Sequence, residues 1–475
     1  MMDSGEYQVA VWRFPHLGLG DRPADLVRVH PVYLALARAV AGVPVGTFAG
    51  RVNFASALFG AVAVANASLL ALRFTRRRRS AALAALVAAL GHTLWAFAVI
   101  AEVLTLMAAL LSAELLCWER FARTRGRVWL LLLAALNGLG VATHLQLGLT
   151  SPIYAVALIV LWRRGALSMR FLFGWAGVWL LATAPYSGMV LYYAGPTGDW
   201  LFVLRSATRG RFGATPGMIR PATIARGAAA MLLNYPTLLL LLAAGGARRV
   251  WRTLDADVAR WVLPAAAAVQ LCFALTYAVP DQYSFFVPFY AVAAALIGIG
   301  GDRLMSRRTW RVALPLLALA AVPIYAAAPR LMRAARVRFF GRAVPYRDPY
   351  DFFLRPWKTG DRGQRRYVGE AFAQLPRDAV LLTSFTMRPM LEYGQRVDGL
   401  RGDVTLVDGA AELLPILGAA GWTRPVFAND AEAGDFPAVI RANCALERAG
   451  WLWRIAPPTD RAAFMRAVEA LARRD

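Results

Sequence analysis

A chain of 475 residues with 58% hydrophobic and 17% charged residues and a mean hydropathy of +0.46 is excluded from the ordinary water-soluble class, which keeps about a quarter of its residues charged. The net charge of +24 would suggest nucleic acid in a soluble protein. Here the arginines fall between apolar blocks, where the positive-inside rule expects them, so no nucleic-acid partner is inferred.

Spanning helices need roughly 20 mostly apolar residues. Segments 49–74, 81–98, 103–119, 128–145, 147–162, 170–190, 226–244, 260–279, 284–300 and 309–326 qualify, giving an α-helical polytopic membrane protein with about ten transmembrane helices. Arginine-rich stretches at 76–79, 120–127, 163–170, 248–252 and 303–311 occupy every second connection and are expected to be cytoplasmic. This phase puts both chain ends outside the cytoplasm. Residues 1–48 form a first extracytoplasmic loop with no apolar span before them, so the first helix of the complete protein is expected to be missing. The single lysine, Lys358, among many arginines fits a GC-rich coding sequence and hence a bacterial inner membrane. Three scattered cysteines signal neither a disulfide framework nor a zinc site.

After residue 327 the texture becomes that of a soluble α/β domain over 340–475, expected outside the cytoplasm. Strands are predicted at 379–384, 403–407 and 424–428 and helices at 387–397 and 410–420, an alternation that argues for a small parallel sheet. No Gly-rich phosphate loop follows any strand.

Charge buried in lipid is costly, so a membrane enzyme places its ionisable groups where substrate reaches them. Asp3, Glu6, Glu102, His144 and Asp281 come from four separate stretches, all at outer ends or loops of the predicted spans. That convergence points to one shared outward site. The outer loop 191–225 carries Arg205, Arg209, Arg211 and Arg220 against the positive-inside tendency. Guanidinium groups bind phosphate in pairs of hydrogen bonds, so Arg205, Arg209 and Arg211 are candidates for a lipid phosphate, with contact to anionic lipid headgroups as the alternative.

These residues also carry a resemblance. Asp3-Ser-Gly-Glu6 resembles the D-S-G-E signature of one branch of the GT-C membrane glycosyltransferases, the branch that includes the protein O-mannosyltransferase of plexin-type receptors. Pro15-His16 and Pro31-Val-Tyr33 resemble its Pro-His and Pro-x-Tyr elements, and either His16 or His30 takes the place of the family histidine. Ala98–Leu106 resembles A-V-I-A-E-V-Y-T-L, with Leu104 for tyrosine, and Met107 replaces a usual asparagine. Gly138–His144 resembles a G-L-G-x-x-x-H turn, and Pro280–Pro288 resembles P-D-x-Y-x-F-F-x-P. Tyr346–Tyr350, Pro356-Trp-Lys358 and Arg424–Phe427 fit as well, so the resemblance runs nearly end to end.

The resemblance implies a polyprenyl-phosphate-linked sugar donor and a protein or glycan acceptor meeting at the outer membrane face. Asp3 is then the base and Glu6 its assistant. His16 or His30, Glu102, His144 and Asp281 line the cavity, and Arg209 and Arg211 lie near the phosphate. No cofactor is specified; Asp3 and Glu6 leave a divalent metal open. A non-catalytic glycan- or lipid-binding membrane protein is the alternative, and a transporter a more distant one, since transporters concentrate polar groups at mid-membrane.

Overall fold

The computed structural model describes all residues except 1–2, 17–22, 211–219, 254–258, 338–343, 385, 409–411, 414–415, 418–421, 431–435 and 473–475. It divides into two compact units. One comprises 13–335 with 354–357; the other comprises 1–12, 336–353 and 358–475.

The larger unit is a helical bundle of α2 (Pro31–Ala41), α3 (Phe48–Thr75), α4 (Arg78–Leu90), α5 (His92–Ala98), α6 (Leu104–Thr124), α7 (Val128–Thr143), α8 (Ser151–Arg163), α9 (Met169–Thr197), α10 (Trp200–Thr208), α11 (Pro221–Asn234), α12 (Leu242–Thr253), α13 (Ala259–Thr276), α14 (Val287–Leu304), α15 (Arg308–Leu319) and α16 (Ala321–Ala334). Among the described residues, four helical segments are long and apolar enough to cross a membrane alone, and up to six if each bent pair is one span. The most buried of these is Gln282–Leu304, 89% inside the protein against 39% for α3, so α14 is the axis about which the others pack. Its glycines allow this: a Cβ on Gly300 would lie 2.0 Å from the Leu242 carbonyl oxygen, and one on Gly246 of α12 would lie 2.0 Å from that of Leu296. Small residues let backbones approach this closely where lipid offers no hydrophobic drive.

Two expected spans are broken. Segment 81–98 bends by 65° between α4 and α5, and 226–244 belongs to a pair bent by 107°. Gly91 interrupts the first, and Pro236 two residues beyond α11 prevents its continuation. Backbone groups freed inside a bundle must find partners. The His92 amide donates to Tyr325 Oη at 3.1 Å, and the Thr93 amide donates to Asn234 Oδ1 at 2.9 Å. Tyr325 Oη in turn approaches the Asn234 carbonyl at 3.0 Å. The two breaks thus satisfy one another through Asn234 and Tyr325, a pairing no local pattern announces.

The smaller unit contains α1 (Asp3–Arg13, of which 3–12 belong here), α17 (Pro349–Leu354, through Phe353), α18 (Gly363–Gln374) and a five-stranded sheet. Strands β1 (Val380–Thr383), β2 (Thr405–Asp408) and β3 (Val426–Ala428) run parallel, whereas β4 (Leu446–Ala449) and β5 (Leu452–Ile455) add an antiparallel hairpin, in the order β2-β1-β3-β5-β4. The expected purely parallel sheet is therefore corrected to a mixed one. The hairpin turns at Gly450, whose φ of +60° lies in the left-handed region that favours glycine. Leu381 and Phe427 bury on one face with α18 and α19 (Arg388–Arg396), while Val380, Leu382, Val426 and Ala428 bury on the other with α20 (Ala438–Asn443) and Phe464 of α21 (Arg461–Ala472).

Candidate active site

Within the bundle, four sequence-derived candidates stand at one end of the helices. His30 precedes α2, Glu102 lies between α5 and α6, His144 ends α7, and Asp281 lies between α13 and α14. The opposite end carries Arg77, Arg79 and Arg249 around Asp302 of α14, with Arg249 Nη1 2.7 Å from its carboxylate. The polar groups are thus sorted along the bundle axis as the charge pattern anticipates.

His30 and His144 meet directly. Their rings stack with centroids 5.1 Å apart and planes 15° from parallel, and His30 Nδ1 lies 2.8 Å from the Thr143 carbonyl oxygen. Of the two histidines left open by the sequence, His30 is the buried one, whereas His16 is exposed. Phe285 packs edge-on to His144 at 6.0 Å and against Tyr277 at 4.7 Å, and Tyr277 feels the charge of Asp281. Glu102 is buried, and its backbone amide donates to Ser56 Oγ at 3.1 Å; that hydroxyl also meets Tyr33 Oη at 3.1 Å. One turn of α2 therefore separates the histidine pair from the Glu102 neighbourhood.

Residues that sequence reasoning passed over hold this arrangement. The Gln146 amide donates to His144 Nδ1 at 3.1 Å, and Gln146 Nε2 donates to Gln270 Oε1 at 2.8 Å and to the Phe285 carbonyl at 2.9 Å. The short 3-10 turn Leu145–Thr150 that begins at His144 ends on Glu114 of α6, whose Oε2 accepts from Thr150 Oγ1, Asn137 Nδ2 and Tyr154 Oη at 3.2, 3.2 and 2.9 Å. A carboxyl in the middle of an apolar helix was the signal that could have found Glu114.

The arginines stand differently. Arg205 and Arg209 are exposed on and just after α10, which is fastened to the segment before His30 by the Leu26 amide donating to Ser206 Oγ at 3.0 Å. Arg211 lies outside the described residues. Asp3 and Glu6 belong to α1 in the smaller unit, where a Cβ on Gly5 would lie 3.0 Å from the Pro389 carbonyl oxygen. The small residue inside Asp3-Ser-Gly-Glu6 thus has a steric reason. Among the described residues no group of three or more His, Cys, Asp or Glu is arranged to hold a metal ion.

Residues 3–168 match the family model of the protein O-mannosyl-transferase TMEM260 N-terminal domain. The fold matches ArnT from Cupriavidus metallidurans bound to undecaprenyl phosphate, with a TM-score of 0.59 at 15% identity over 96% of this chain and 95% of that one. The apo state of the same protein matches with a TM-score of 0.58 at 14% identity over 96% and 94%. The first third of the chain is thus similar to an O-mannosyl-transferase domain, and the fold is similar to that of ArnT. No curated protein matches by sequence. The TMEM260-type match spans α1 to α8 and so contains His30, Glu102 and His144 together with Asp3 and Glu6; the remainder of the chain is similar to ArnT in fold alone.

Proposed function

We propose that the protein transfers a sugar from a polyprenyl-phosphate-linked donor to a protein or glycan acceptor at the extracytoplasmic face of a bacterial inner membrane. The observation that carries this reading is the gathering of His30, His144 and Glu102 at one end of a helical bundle, within the stretch that matches an O-mannosyl-transferase domain. The undecaprenyl phosphate bound by ArnT, which shares the fold, supports a lipid-linked donor. Glycosyl transfer needs a carboxylate to accept the acceptor's proton and cations or donors to hold the departing phosphate. In this proposal Asp3 is the base and Glu6 its neighbour in orienting the acceptor. Glu102, His30, His144 and Asp281 line the reaction chamber, and Arg205, Arg209 and Arg211 attend the phosphate. In the same proposal the C-terminal domain lies outside the cytoplasm and positions the acceptor.

The test is turnover by the purified chain in lipid nanodiscs, supplied with polyprenyl-phosphate-linked sugars and scored by release of polyprenyl phosphate. Asp3→Asn keeps shape but cannot take a proton, and loss of general-base help costs about 10²–10⁴-fold in rate. Donor binding without turnover in the native chain would instead favour a glycan- or lipid-binding protein. Full turnover in Asp3→Asn alongside none in Glu102→Gln would move the base to another loop.

A further inference from the structure

The smaller unit contains a topological feature that the proposed transfer reaction does not use. The chain leaves β1 toward α19 on one face of the sheet, and β3, on the opposite side of β1 from β2, leads to α20 on the other face. Adjacent parallel strands whose following connections diverge open a crevice beyond their carboxyl ends, the place where open α/β sheets bind ligands.

Polar side chains occupy that place. Ser384 directly follows β1 and Asn429 directly follows β3; they are 7% and 8% exposed. The Ser384 amide donates to Asn429 Oδ1 at 2.9 Å, which fixes the orientation of the carboxamide. Ser384 Oγ and Asn429 Nδ2 are then buried with no hydrogen-bond partner. Tyr367 of α18 brings its phenol beside the Asn429 side chain, close enough to interact with it but without a hydrogen bond of good geometry. Leaving buried polar groups unsatisfied is unfavourable, so this cluster at a strand switch is an arrangement that a ligand would repair.

The chemistry selects the ligand. The groups offered are a hydroxyl, a carboxamide N–H and a phenol, none of them charged. Asp430 adjoins Asn429 and exerts a negative field on Tyr367. The nearby cation, Arg388, is engaged by Glu412 at 3.0 Å and lies 3.9 Å from Asp408. Anions are disfavoured there, and a neutral polyhydroxylated molecule fits.

We infer that the crevice at the ends of β1 and β3 is a sugar-binding subsite, in which Ser384, Asn429 and Tyr367 hydrogen-bond the hydroxyls of an uncharged glycan. This deepens the proposed function and rests on it only for the identity of the glycan as acceptor.

The experiment uses the full chain in phosphatidylcholine nanodiscs, free of glycoside detergent, with saturation-transfer NMR of methyl α-mannopyranoside and methyl β-glucopyranoside. Inorganic phosphate serves as an anionic competitor. At least one glycoside is expected to bind saturably, without competition from phosphate. Ser384→Ala and Asn429→Asp are each expected to weaken it by about tenfold, the scale of one hydrogen bond. Asn429→Asp keeps the acceptor for the Ser384 amide and replaces the Nδ2 donor by a carboxylate oxygen, so weakened binding at an unchanged melting temperature reports chemistry rather than folding. Unchanged affinity in both variants, absence of glycoside binding, or displacement by phosphate would overturn the subsite. Turnover of lipid-linked donor by the same preparation is scored in parallel. Glycoside binding absent from the native chain with turnover intact rejects the subsite alone, and turnover absent from the native chain with binding intact rejects the transferase reading alone.

Discussion

Glu114 offers the sharpest test of how the bundle holds its candidate site. Its Oε2 accepts hydrogen bonds from Tyr154, Asn137 and Thr150, on or beside three different helical segments, and Asn137 Oδ1 accepts in turn from Ser151 Oγ at 2.7 Å and Trp179 Nε1 at 2.9 Å. Glu114→Leu removes all three acceptances at once and leaves the Tyr154 hydroxyl buried without its partner. Inter-helix hydrogen bonds in membranes average about 0.6 kcal/mol with a maximum near 1.7. Three of them therefore amount to about 2–5 kcal/mol, or roughly 30- to 5,000-fold in the folding equilibrium. Glu114→Gln keeps a carbonyl oxygen where Oε2 stands and is expected to cost under about 1 kcal/mol. The assay is reversible unfolding in mixed micelles, followed by tryptophan fluorescence. Because Thr150 closes the turn that begins at His144, Glu114→Leu should also lower donor turnover, while Glu114→Gln should spare it. Equal destabilisation by Gln and Leu would show that an ionised carboxylate, not the hydrogen-bond geometry, matters. A cost below about 0.5 kcal/mol for Leu would refute the network as a fastening.

Further outcomes follow from other parts of the molecule. Gly246→Ala or Gly300→Ala must push α12 and α14 apart and is expected to cost about 1–3 kcal/mol, read as a lower melting temperature in detergent; Gly174→Ala, with nothing within 4 Å of its Cβ, should not. In the smaller unit, Arg401 holds the Asp403 carboxyl well below the usual carboxylate range through hydrogen bonds at 2.8 and 2.7 Å. A depressed folded-state value stabilises above the unfolded value of about 4 and is lost as pH falls further. The native chain should therefore out-melt Asp403→Asn at pH 7, with the gap closing below about pH 4; a constant gap would refute the pairing. Lys358 is pushed down to about 8 by burial and by the Arg347 charge, so reaction with an amine reagent should rise across pH 7–9 rather than near 10.4. In a background without native cysteines, Thr208→Cys and Glu447→Cys should react with an impermeant maleimide on intact cells and Arg78→Cys should not; the reverse pattern would invert the proposed orientation.

Much of the scaffold is legible from the sequence because it depends on local periodicity and composition. Apolar blocks of membrane length mark the helical segments, and alternating strand and helix signals locate β1, α19, β2 and β3 to within a few residues. The separation of arginines from the residues His30, Glu102, His144 and Asp281 also follows from sequence, since each marks a helix end. Tertiary structure decides what long-range contact alone determines. The breaks at Gly91 and Pro236 are tolerable because Asn234 and Tyr325, far apart in the chain, satisfy the freed backbone. His30 is distinguished from His16 by stacking on His144, more than a hundred residues away. The hairpin that makes the sheet mixed depends on β5 meeting β3. Glu114 reads as one misplaced acid until Asn137, Thr150 and Tyr154 are brought around it. Composition and periodicity are properties of neighbours in the chain, and hydrogen-bond satisfaction is a property of neighbours in space.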